Sequence, residues 1–202
     1  MIGIIDYGMG NLRRVQNALD HLGEENRISE DPEFLLSCDK LVLPGVGAFG
    51  DCMENLRSKH LDDLVMRCVR IQKPLLGICV GMQMMFEESE EKGIHTGLGI
   101  FQGRIVRMKT DLPVPQIGWN LLEYAQSCPF SGRLSAAPYM YYVHSYAAED
   151  YDEKDLYAYS MYGEYKVGGV FMKDHIAAVQ FHPEKSSKDG LALLSWFAKE
   201  FI

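Results

Sequence analysis

The segment Gly77-Ile78-Cys79-Val80-Gly81 constrains the fold of this chain more than any other feature of the sequence. It follows the apolar pair Leu75-Leu76 and matches the G-x-[Ser/Cys]-x-G pattern of a nucleophile elbow, in which a strand ends, the chain turns sharply and a helix begins. Glycines flank such a turn because a Cβ would not fit there. The pattern predicts that Cys79 lies at a sheet edge, at a helix N-terminus whose partial positive charge favours the thiolate.

A second segment, Phe181-His182-Pro183-Glu184, supplies a candidate base and a carboxylate to orient it. His182 and Glu184 are two residues apart, so on an extended chain their side chains point to the same side. Pro183 cannot donate to a β-ladder, which favours a strand that stops here and presents His182 at the sheet edge. Together with Cys79, these residues form a candidate Cys-His-Glu triad.

Length and charge limit the classes of protein to consider. The chain of 202 residues is expected to form one α/β domain, 1–202, with a core large enough to need neither disulfides nor metal. A net charge of −8 argues against a nucleic-acid partner, which would require a basic surface. No apolar run approaches the length of a membrane span, and residues 1–6 read as a buried strand without the basic region of a signal peptide.

The cysteines indicate the expected compartment. There are five of them, and no two form a C-x-x-C pair: Cys38, Cys52, Cys68, Cys79 and Cys128. An odd, scattered set disfavours a disulfide framework or a zinc site, so a reducing, cytoplasmic environment is expected. Only Cys79 has a sequence context that indicates chemistry.

The two halves of the chain have different patterns. Strand-like runs at 2–6, 40–43 and 75–78 alternate with helical patterns at 11–22, 51–71 and 81–91, for which Asn11 and Asp51 are candidate N-caps. This alternation predicts a parallel sheet with helices on both faces. Short strand-like runs between 104 and 181 predict antiparallel additions, and 191–201 predicts a final helix. The expected class is an open, mixed, largely parallel α/β sheet with antiparallel strands in the C-terminal half.

Ligands of such sheets bind beyond the carboxyl ends of the strands, where two glycine-rich loops are expected. In Pro44-Gly45-Val46-Gly47 the glycines allow backbone N–H groups to point outward as donors to an oxyanion, and the N–H of Val80 is the natural second donor. Gly8-Met9-Gly10 resembles the start of a dinucleotide fingerprint, but Arg13 stands where the third glycine belongs. No cofactor and no metal are therefore predicted.

Gln83 lies one helical turn after Cys79 and is expected on the same face of the helix. Its amide is suited to recognising a small polar substrate.

These residues belong to a recognisable set of motifs. Besides the elbow and the His-Pro-Glu segment, the set comprises Ile5–Leu12, Leu43–Gly47, Gly118–Asn120, Tyr142–Tyr146 and Gln180–Ser186. In these motifs the chain resembles the class I (triad) glutamine amidotransferases over its full length, which implies a flavodoxin-like fold. Gln116 is a departure, since a histidine is expected before Ile117-Gly118-Trp119.

The resemblance implies a role for each matching position. Cys79 would attack the side-chain amide of L-glutamine, His182 would move protons and Glu184 would hold the imidazole ring. The N–H groups of Val46 and Val80 would form the oxyanion hole. The positions that would hold glutamine are Gly47, Gln83, Glu91, His144, Ser145 and Tyr146.

The resemblance also implies a partner. Ammonia is mostly protonated in neutral water, so members of the family pass it through a tunnel to a synthase, here a (β/α)8-barrel subunit in a heterodimer. Met9, Asn11 and Lys185 would face that partner. The subunit is expected to be nearly silent alone and to be activated when the partner's ligand rotates the Gly45-Val46-Gly47 backbone, as the glycines permit.

Two alternatives stay open at the level of sequence. One is a paralogous class I amidotransferase that feeds another synthase, for example in surface-sugar amination. The other is a non-catalytic protein with an elbow cysteine, used as a redox sensor or an interaction site. The second alternative requires neither His182-Pro183-Glu184 nor the Pro44–Gly47 loop, and the chain has both.

Overall fold

Strands and helices alternate through the first half of the chain, and strands dominate the second half. The structure is a computed structural model and describes residues 1–202. The strands are β1 (Ile2–Ile5), β2 (Asn26–Ser29), β3 (Lys40–Gly45), β4 (Leu75–Cys79), β5 (Glu88–Ser89), β6 (His95–Thr96), β7 (Arg104–Arg107), β8 (Gln116–Leu121), β9 (Glu123–Tyr124), β10 (Tyr139–His144), β11 (Tyr146–Glu149), β12 (Leu156–Tyr162), β13 (Tyr165–Lys173) and β14 (Ile176–Val179). The α-helices are α1 (Leu12–His21), α2 (Pro32–Ser37), α3 (Phe49–Ser58), α4 (Leu61–Arg70), α5 (Val80–Gln83) and α6 (Ser187–Lys199), and short 3-10 helices cover Ser131–Arg133, Glu153–Asp155 and Pro183–Lys185.

An eight-stranded sheet in the order β2-β1-β3-β4-β14-β13-β12-β9 forms the centre of the molecule. The first five strands are parallel, and β13, β12 and β9 are added antiparallel. The parallel part has the 2-1-3-4-5 order of flavodoxin-like folds. The predicted fold class, a largely parallel open sheet with antiparallel additions, is confirmed.

Helices cover both faces of this sheet. The chain runs from β1 to β2 through α1 and then back past β1 to β3 through α2. Right-handed crossovers in opposite directions place these two helices on opposite faces. Accordingly α1 packs near α6, whereas α2 packs near α4. Every residue of β1, β4 and β14 is buried, as is typical of parallel strands covered on both sides.

Not every strand of the second half joins the large sheet. β8 and β10 form a two-stranded antiparallel ribbon, and β11, β7, β5 and β6 form a four-stranded sheet. Only Ser145 separates β10 from β11, so the chain changes sheet at this residue. None of the helices combines the length and the apolar composition that crossing a bilayer requires.

The helix predicted over 81–91 is wrong beyond Gln83, where α5 ends. The carbonyls of Met84, Met85 and Phe86 accept hydrogen bonds from the N–H groups of residues 98–101. These long-range bonds take the acceptors that a continuing helix would need, and the chain enters β5 at Glu88.

The two predicted N-caps also differ from the structure. Asn11 does precede α1, but its side chain makes no capping hydrogen bond. The N-cap position of α3 is Ala48 and not Asp51. The N–H of Phe49, the first residue of α3, donates to the Glu91 carboxylate at 2.7 Å. A distant side chain therefore caps α3, which no local pattern could reveal.

Candidate active site

The elbow forms as the sequence predicts, and close backbone approach explains its glycines. Cys79 ends β4 and precedes α5 with φ 56° and ψ −113°, a conformation that turns the chain sharply. A Cβ on Gly81 would lie 1.9 Å from the Leu43 carbonyl oxygen, and one on Gly45 would lie 2.4 Å from the Gly81 nitrogen. The end of β3 and the first turn of α5 therefore approach each other closely through their backbones, which fixes the elbow against the neighbouring strand.

Cys79 opens into a cavity of about 410 Å³ at the carboxyl ends of β3 and β4. Its lining comprises Val46, Gly47, Cys79, Val80, Gln83, Glu91, Pro115, Val143, His144, Ser145, Tyr146, His182 and Lys185. The structure thus brings together every candidate site residue except Glu184, Met9 and Asn11. Pro115 and Val143 are additional lining residues: Pro115 belongs to no sequence motif, and Val143 lies within the Tyr142–Tyr146 motif without having been singled out.

Glu184 lies behind His182, away from the cavity. Nδ1 of His182 is 2.8 Å from Oε1 of Glu184, and the two side chains are 2% and 1% exposed. The spacing predicted an extended chain that places both side chains on one side. Instead, Pro183 starts the 3-10 turn Pro183–Lys185, and this turn brings His182 and Glu184 together. The turn is anchored by the His182 N–H, which donates to the Tyr141 carbonyl at 2.9 Å.

The charge state of His182 follows from its neighbours. Burial lowers its pKa, but the interactions with Cys79 and Glu184 outweigh burial and raise the pKa to about 9. Nε2 is buried and has no well-aligned hydrogen-bond partner. The ring is thus oriented by Glu184 through Nδ1, and Nε2 is left for proton transfer.

Gln180 is a buried polar residue beside Cys79 that was not predicted as a site residue. Its side chain is completely buried, and Nε2 donates towards the Cys79 sulfur at 3.9 Å. Its Oε1 accepts from Gln83 Nε2 at 3.0 Å, and the same Gln83 nitrogen donates to the Tyr146 carbonyl at 2.9 Å. Gln180 stands within the Gln180–Ser186 motif, and its position two residues before His182 was the available signal.

His144 contrasts with His182 across the same cavity. Its Nδ1 lies 2.9 Å from the Tyr146 carbonyl oxygen, so Nδ1 carries the hydrogen and Nε2 is an acceptor. Nε2 is buried without a partner. Burial lowers the pKa of His144 to about 4, because the carbonyl contact compensates only part of the desolvation. His144 is therefore neutral at physiological pH.

The loop after β3 carries Val46 and Gly47, and both residues line the cavity. Gly47 has φ +106°, a conformation that glycine adopts without penalty. A Cβ on Gly47 would lie 3.0 Å from the Met9 methyl group, so Met9 packs directly against this loop. Asn11 follows two residues later at the start of α1.

Besides His182, Glu91 and Lys185 contribute charged side chains to the cavity. One carboxylate oxygen of Glu91 accepts from the Phe49 N–H, which leaves the other oxygen available. Lys185 Nζ lies 5.6 Å from the centre of the Tyr141 ring, close enough for a cation–π contact. No group of three or more His, Cys, Asp or Glu side chains is arranged to hold a metal ion.

Gln116, the departure from the family pattern, lies directly opposite His144 in the ribbon of β8 and β10. It is completely buried, and its Nε2 donates to Oδ1 of Asn120 at 2.8 Å. Gln116 does not line the cavity.

Comparison with known sequences identifies the class of protein to which this fold and cavity belong. The family model described as Glutamine amidotransferase class-I matches residues 3–201, and the chain belongs to this family. It is 45% identical to the imidazole glycerol phosphate synthase subunit HisH of Bacillus subtilis (strain 168), over 98% of this chain and 96% of that protein. A protein of the same name from Aquifex aeolicus (strain VF5) is 43% identical over 98% of this chain and 95% of that protein.

Solved structures support the fold. A crystal structure described as a glutamine amidotransferase has a TM-score of 0.77 and 21% identity, covering 97% of this chain and 96% of that one. The structure of PurLQS from Thermotoga maritima contains a chain with a TM-score of 0.73 and 16% identity, covering 96% of this chain and 95% of that one. At these identities the likeness concerns the fold alone.

Proposed function

We propose that this chain is the glutaminase subunit of an imidazole glycerol phosphate synthase, with residues 1–202 acting as one domain. The observation that carries the proposal is the cavity in which Cys79 meets the His182–Glu184 pair. It occurs in a chain that is 45% identical, over nearly its whole length, to a protein named as that subunit. The activity proposed is hydrolysis of L-glutamine to glutamate and ammonia.

Cys79 is the proposed nucleophile. Its sulfur attacks the side-chain amide carbon of glutamine, and the carbonyl electrons move onto oxygen, where the N–H groups of Val46 and Val80 stabilise them. The C–N bond then breaks as His182 gives its proton to the departing ammonia, leaving a γ-glutamyl thioester. Water attacks the thioester, His182 takes the proton of the water, and glutamate leaves as the thiolate is restored. Glu184 accepts the Nδ1–H of His182 throughout.

The other lining residues fit the polar groups of glutamine. The free oxygen of Glu91 is suited to the α-ammonium group, and the unpartnered Nε2 of His144 is suited to an N–H of the substrate. Both bonds of the Gln83 amide nitrogen are already made within the protein, so Gln83 offers only its oxygen. We assign Gly47, Ser145 and Tyr146, which also line the cavity, to the same binding role.

The proposed partner is a (β/α)8-barrel cyclase subunit that receives ammonia without release to water. There ammonia would react with a phosphoribosyl aminoimidazole carboxamide ribonucleotide derivative to give imidazole glycerol phosphate and AICAR, in histidine biosynthesis. Met9, Asn11 and Lys185 are the proposed contacts. The ribbon of β8 and β10 supports this surface, because Ile117 and Trp119 are 62% and 48% exposed beside the cavity, and adjoining large apolar side chains mark interaction sites.

The proposed place of action is the cytoplasm. All five cysteines are unpaired and buried, which suits a reducing compartment.

The test is glutamate release by the purified chain alone, with the cyclase subunit encoded in the same genome, and with that subunit plus its nucleotide substrate. Release is expected to be low alone and to rise with partner and nucleotide. Cys79→Ala is expected to abolish release while the complex still forms, whereas Cys68→Ala, at a buried cysteine of α4 outside the cavity, is the matched control. A wild-type complex that releases no glutamate would refute the proposal.

A further inference from the structure

Two buried donors lie beneath the loop that follows β3. The Tyr7 hydroxyl donates to the Pro44 carbonyl at 2.9 Å, and the Cys52 thiol donates to the Val46 carbonyl at 3.5 Å. Both side chains are completely buried, and neither lines the cavity. They therefore act on the loop from its inner side, where no substrate can reach.

The two donors form one small cluster although they come from different elements. Tyr7 follows β1 and Cys52 lies in α3. Tyr7 and Cys52 are also close enough to interact with each other and with Cys79. Burial raises the pKa of Cys52 to about 11 and raises the pKa of Tyr7 as well. Both groups thus stay protonated, and remain donors, at neutral pH.

The two carbonyls that accept these hydrogen bonds belong to the peptide units on either side of the one that carries the Val46 N–H. Because a peptide unit is planar, fixing the Pro44 carbonyl also fixes the Gly45 N–H, and fixing the Val46 carbonyl also fixes the Gly47 N–H. The peptide unit between these two planes joins Gly45 to Val46 and carries the Val46 N–H. Tyr7 and Cys52 therefore hold the two peptide planes that flank the Gly45–Val46 plane. That central plane carries the proposed oxyanion donor.

We propose that Tyr7 and Cys52 are positioning residues of the oxyanion hole. These two residues hold the flanking peptide planes, so that the direction of the Val46 N–H depends on the Gly45–Val46 plane alone. This inference rests on the proposed function, in which Val46 supplies that donor. Glycine at position 45 gives the central plane its freedom to rotate. The segment that begins at Tyr7 continues to Met9, whose methyl group packs on Gly47, so one stretch of chain contacts both ends of the loop.

Removal of either donor has a specific consequence. With one flanking plane released, the loop populates several conformations, and the Val46 N–H is aligned in only a fraction of them. Formation of the oxyanion then slows. The residues proposed to bind glutamine and the thiol of Cys79 are untouched, so affinity for glutamine and reactivity of the thiol stay as they are.

The experiment uses the complex with its cyclase partner and nucleotide, and the variants Tyr7→Phe and Cys52→Ala. Each is expected to lower kcat for glutamate release about 10-fold, part of the 10²- to 10³-fold that loss of a whole oxyanion donor costs. KM for glutamine is expected to stay within about two-fold, because binding energy common to ground state and transition state is unchanged. Alkylation of Cys79 by iodoacetamide, in which sulfur displaces iodide without an oxyanion, is also expected to stay within about two-fold of wild type.

The chain offers closely matched controls. Cys38 donates its thiol to the Phe34 carbonyl at 3.5 Å, the same distance as at Cys52, and Tyr165 donates its hydroxyl to Glu149 at 2.8 Å. Cys38→Ala and Tyr165→Phe thus remove comparable bonds far from the loop and are expected to leave kcat unchanged. Cys52→Ser keeps a donor at position 52 and is expected to recover most of the lost rate.

The outcomes separate this inference from the proposed function. If wild-type complex releases glutamate but Tyr7→Phe and Cys52→Ala behave like their controls, the inference is overturned and the proposed function stands. A parallel loss of kcat, glutamine affinity and alkylation rate would also overturn it, since that indicates general damage. If Tyr7→Phe fails to fold, the Cys52→Ala and Cys52→Ser pair decides alone.

Discussion

The two walls of the cavity are built by different means. The nucleophile wall, comprising Val46, Gly47, Cys79 and Val80, lies at the ends of the parallel strands β3 and β4. The ribbon wall, comprising Pro115 and residues 143–146, belongs to the antiparallel β8–β10 ribbon and its junction with β11. Backbone contact at Gly45 and Gly81 sets the first wall, whereas in the second wall the Tyr146 carbonyl accepts a hydrogen bond from the Gln83 side chain of α5.

The two histidines of the cavity show what this difference does. His182 follows β14 on the parallel side and has both a carboxylate and a thiol as partners, so its pKa rises to about 9. His144 in the ribbon wall has only a carbonyl oxygen, so burial prevails and its pKa falls to about 4. One cavity thus holds a histidine that favours the protonated form at neutral pH and a second histidine that stays neutral.

The largest effect on this contrast is expected from Glu184→Gln. The substitution keeps the size of the side chain but removes the charge that orients His182 and raises its pKa. We therefore expect kcat to fall about 10⁴-fold, as in a triad that loses its carboxylate. Steady-state glutamate release measures the loss, and histidine NMR measures the fall in the pKa of His182. Glu149→Gln is the control, because it makes the same change at a carboxylate that accepts a hydrogen bond from the Tyr165 hydroxyl. Unchanged kcat would remove Glu184 from the triad.

Gly81→Ala tests whether backbone contact sets the nucleophile wall. A Cβ there would lie 1.9 Å from the Leu43 carbonyl oxygen, so β3 and the elbow must separate. We expect kcat to fall about 10²-fold or more, since small misplacements of reacting groups have that effect, with a loss of about 1–3 kcal/mol in the free energy of unfolding. Gly132→Ala is the control, because no atom lies within 4 Å of its added Cβ. Wild-type kinetics in Gly81→Ala would refute the close approach.

His144→Asn probes the ribbon wall alone. Asparagine keeps a donor for the Tyr146 carbonyl but lacks the Nε2 acceptor that faces the cavity. The expected result is about a 10-fold rise in KM for glutamine, worth one hydrogen bond, with kcat within about three-fold of wild type. A loss of kcat as large as that of Glu184→Gln would mean that the two walls are not functionally separate.

The last effect concerns stability against pH, which the two histidines change in opposite directions. The folded-state pKa of His144 is about 4, below the unfolded value of 6.5, so stability is lost as pH falls from 6.5 towards 4. The folded-state pKa of His182 is about 9, above 6.5, so stability is lost as pH rises from 6.5 towards 9. Urea unfolding of wild type should show a maximum near pH 6.5, and His144→Asn should flatten only the acidic side. An unchanged acidic slope in that variant would contradict the assignment.

The nucleophile wall could be predicted from sequence because local rules produce it. The glycines around Cys79 and in Pro44–Gly47 are required by contacts between adjacent strand ends, and such requirements leave a pattern in the chain. The parallel sheet was equally predictable, since strands buried on both faces, such as β4, are continuous apolar runs.

The features that escaped prediction depend on partners distant in sequence. Glu91 caps α3 from 42 residues away. Residues 98–101 bond to the carbonyls of Met84, Met85 and Phe86, which a continuation of α5 would need. β2 is an edge strand with the mostly polar sequence Asn-Arg-Ile-Ser, so no apolar run indicated a strand there. Gln180 acquires its role only when β14 brings it beside Cys79, 101 residues earlier in the chain.

The backbone of Cys79 implies a conflict between durability and activity. With φ 56° and ψ −113°, this residue occupies a conformation that costs an L-amino acid on the order of 1–3 kcal/mol. Glycine would relieve that cost, less about 0.5–1 kcal/mol for the greater freedom of the unfolded chain. Under the proposed function, position 79 is therefore one where the inactive protein would resist heat better than the active one. Selection of variants for thermal tolerance alone would favour loss of the nucleophile, so any such selection must also demand glutamate release.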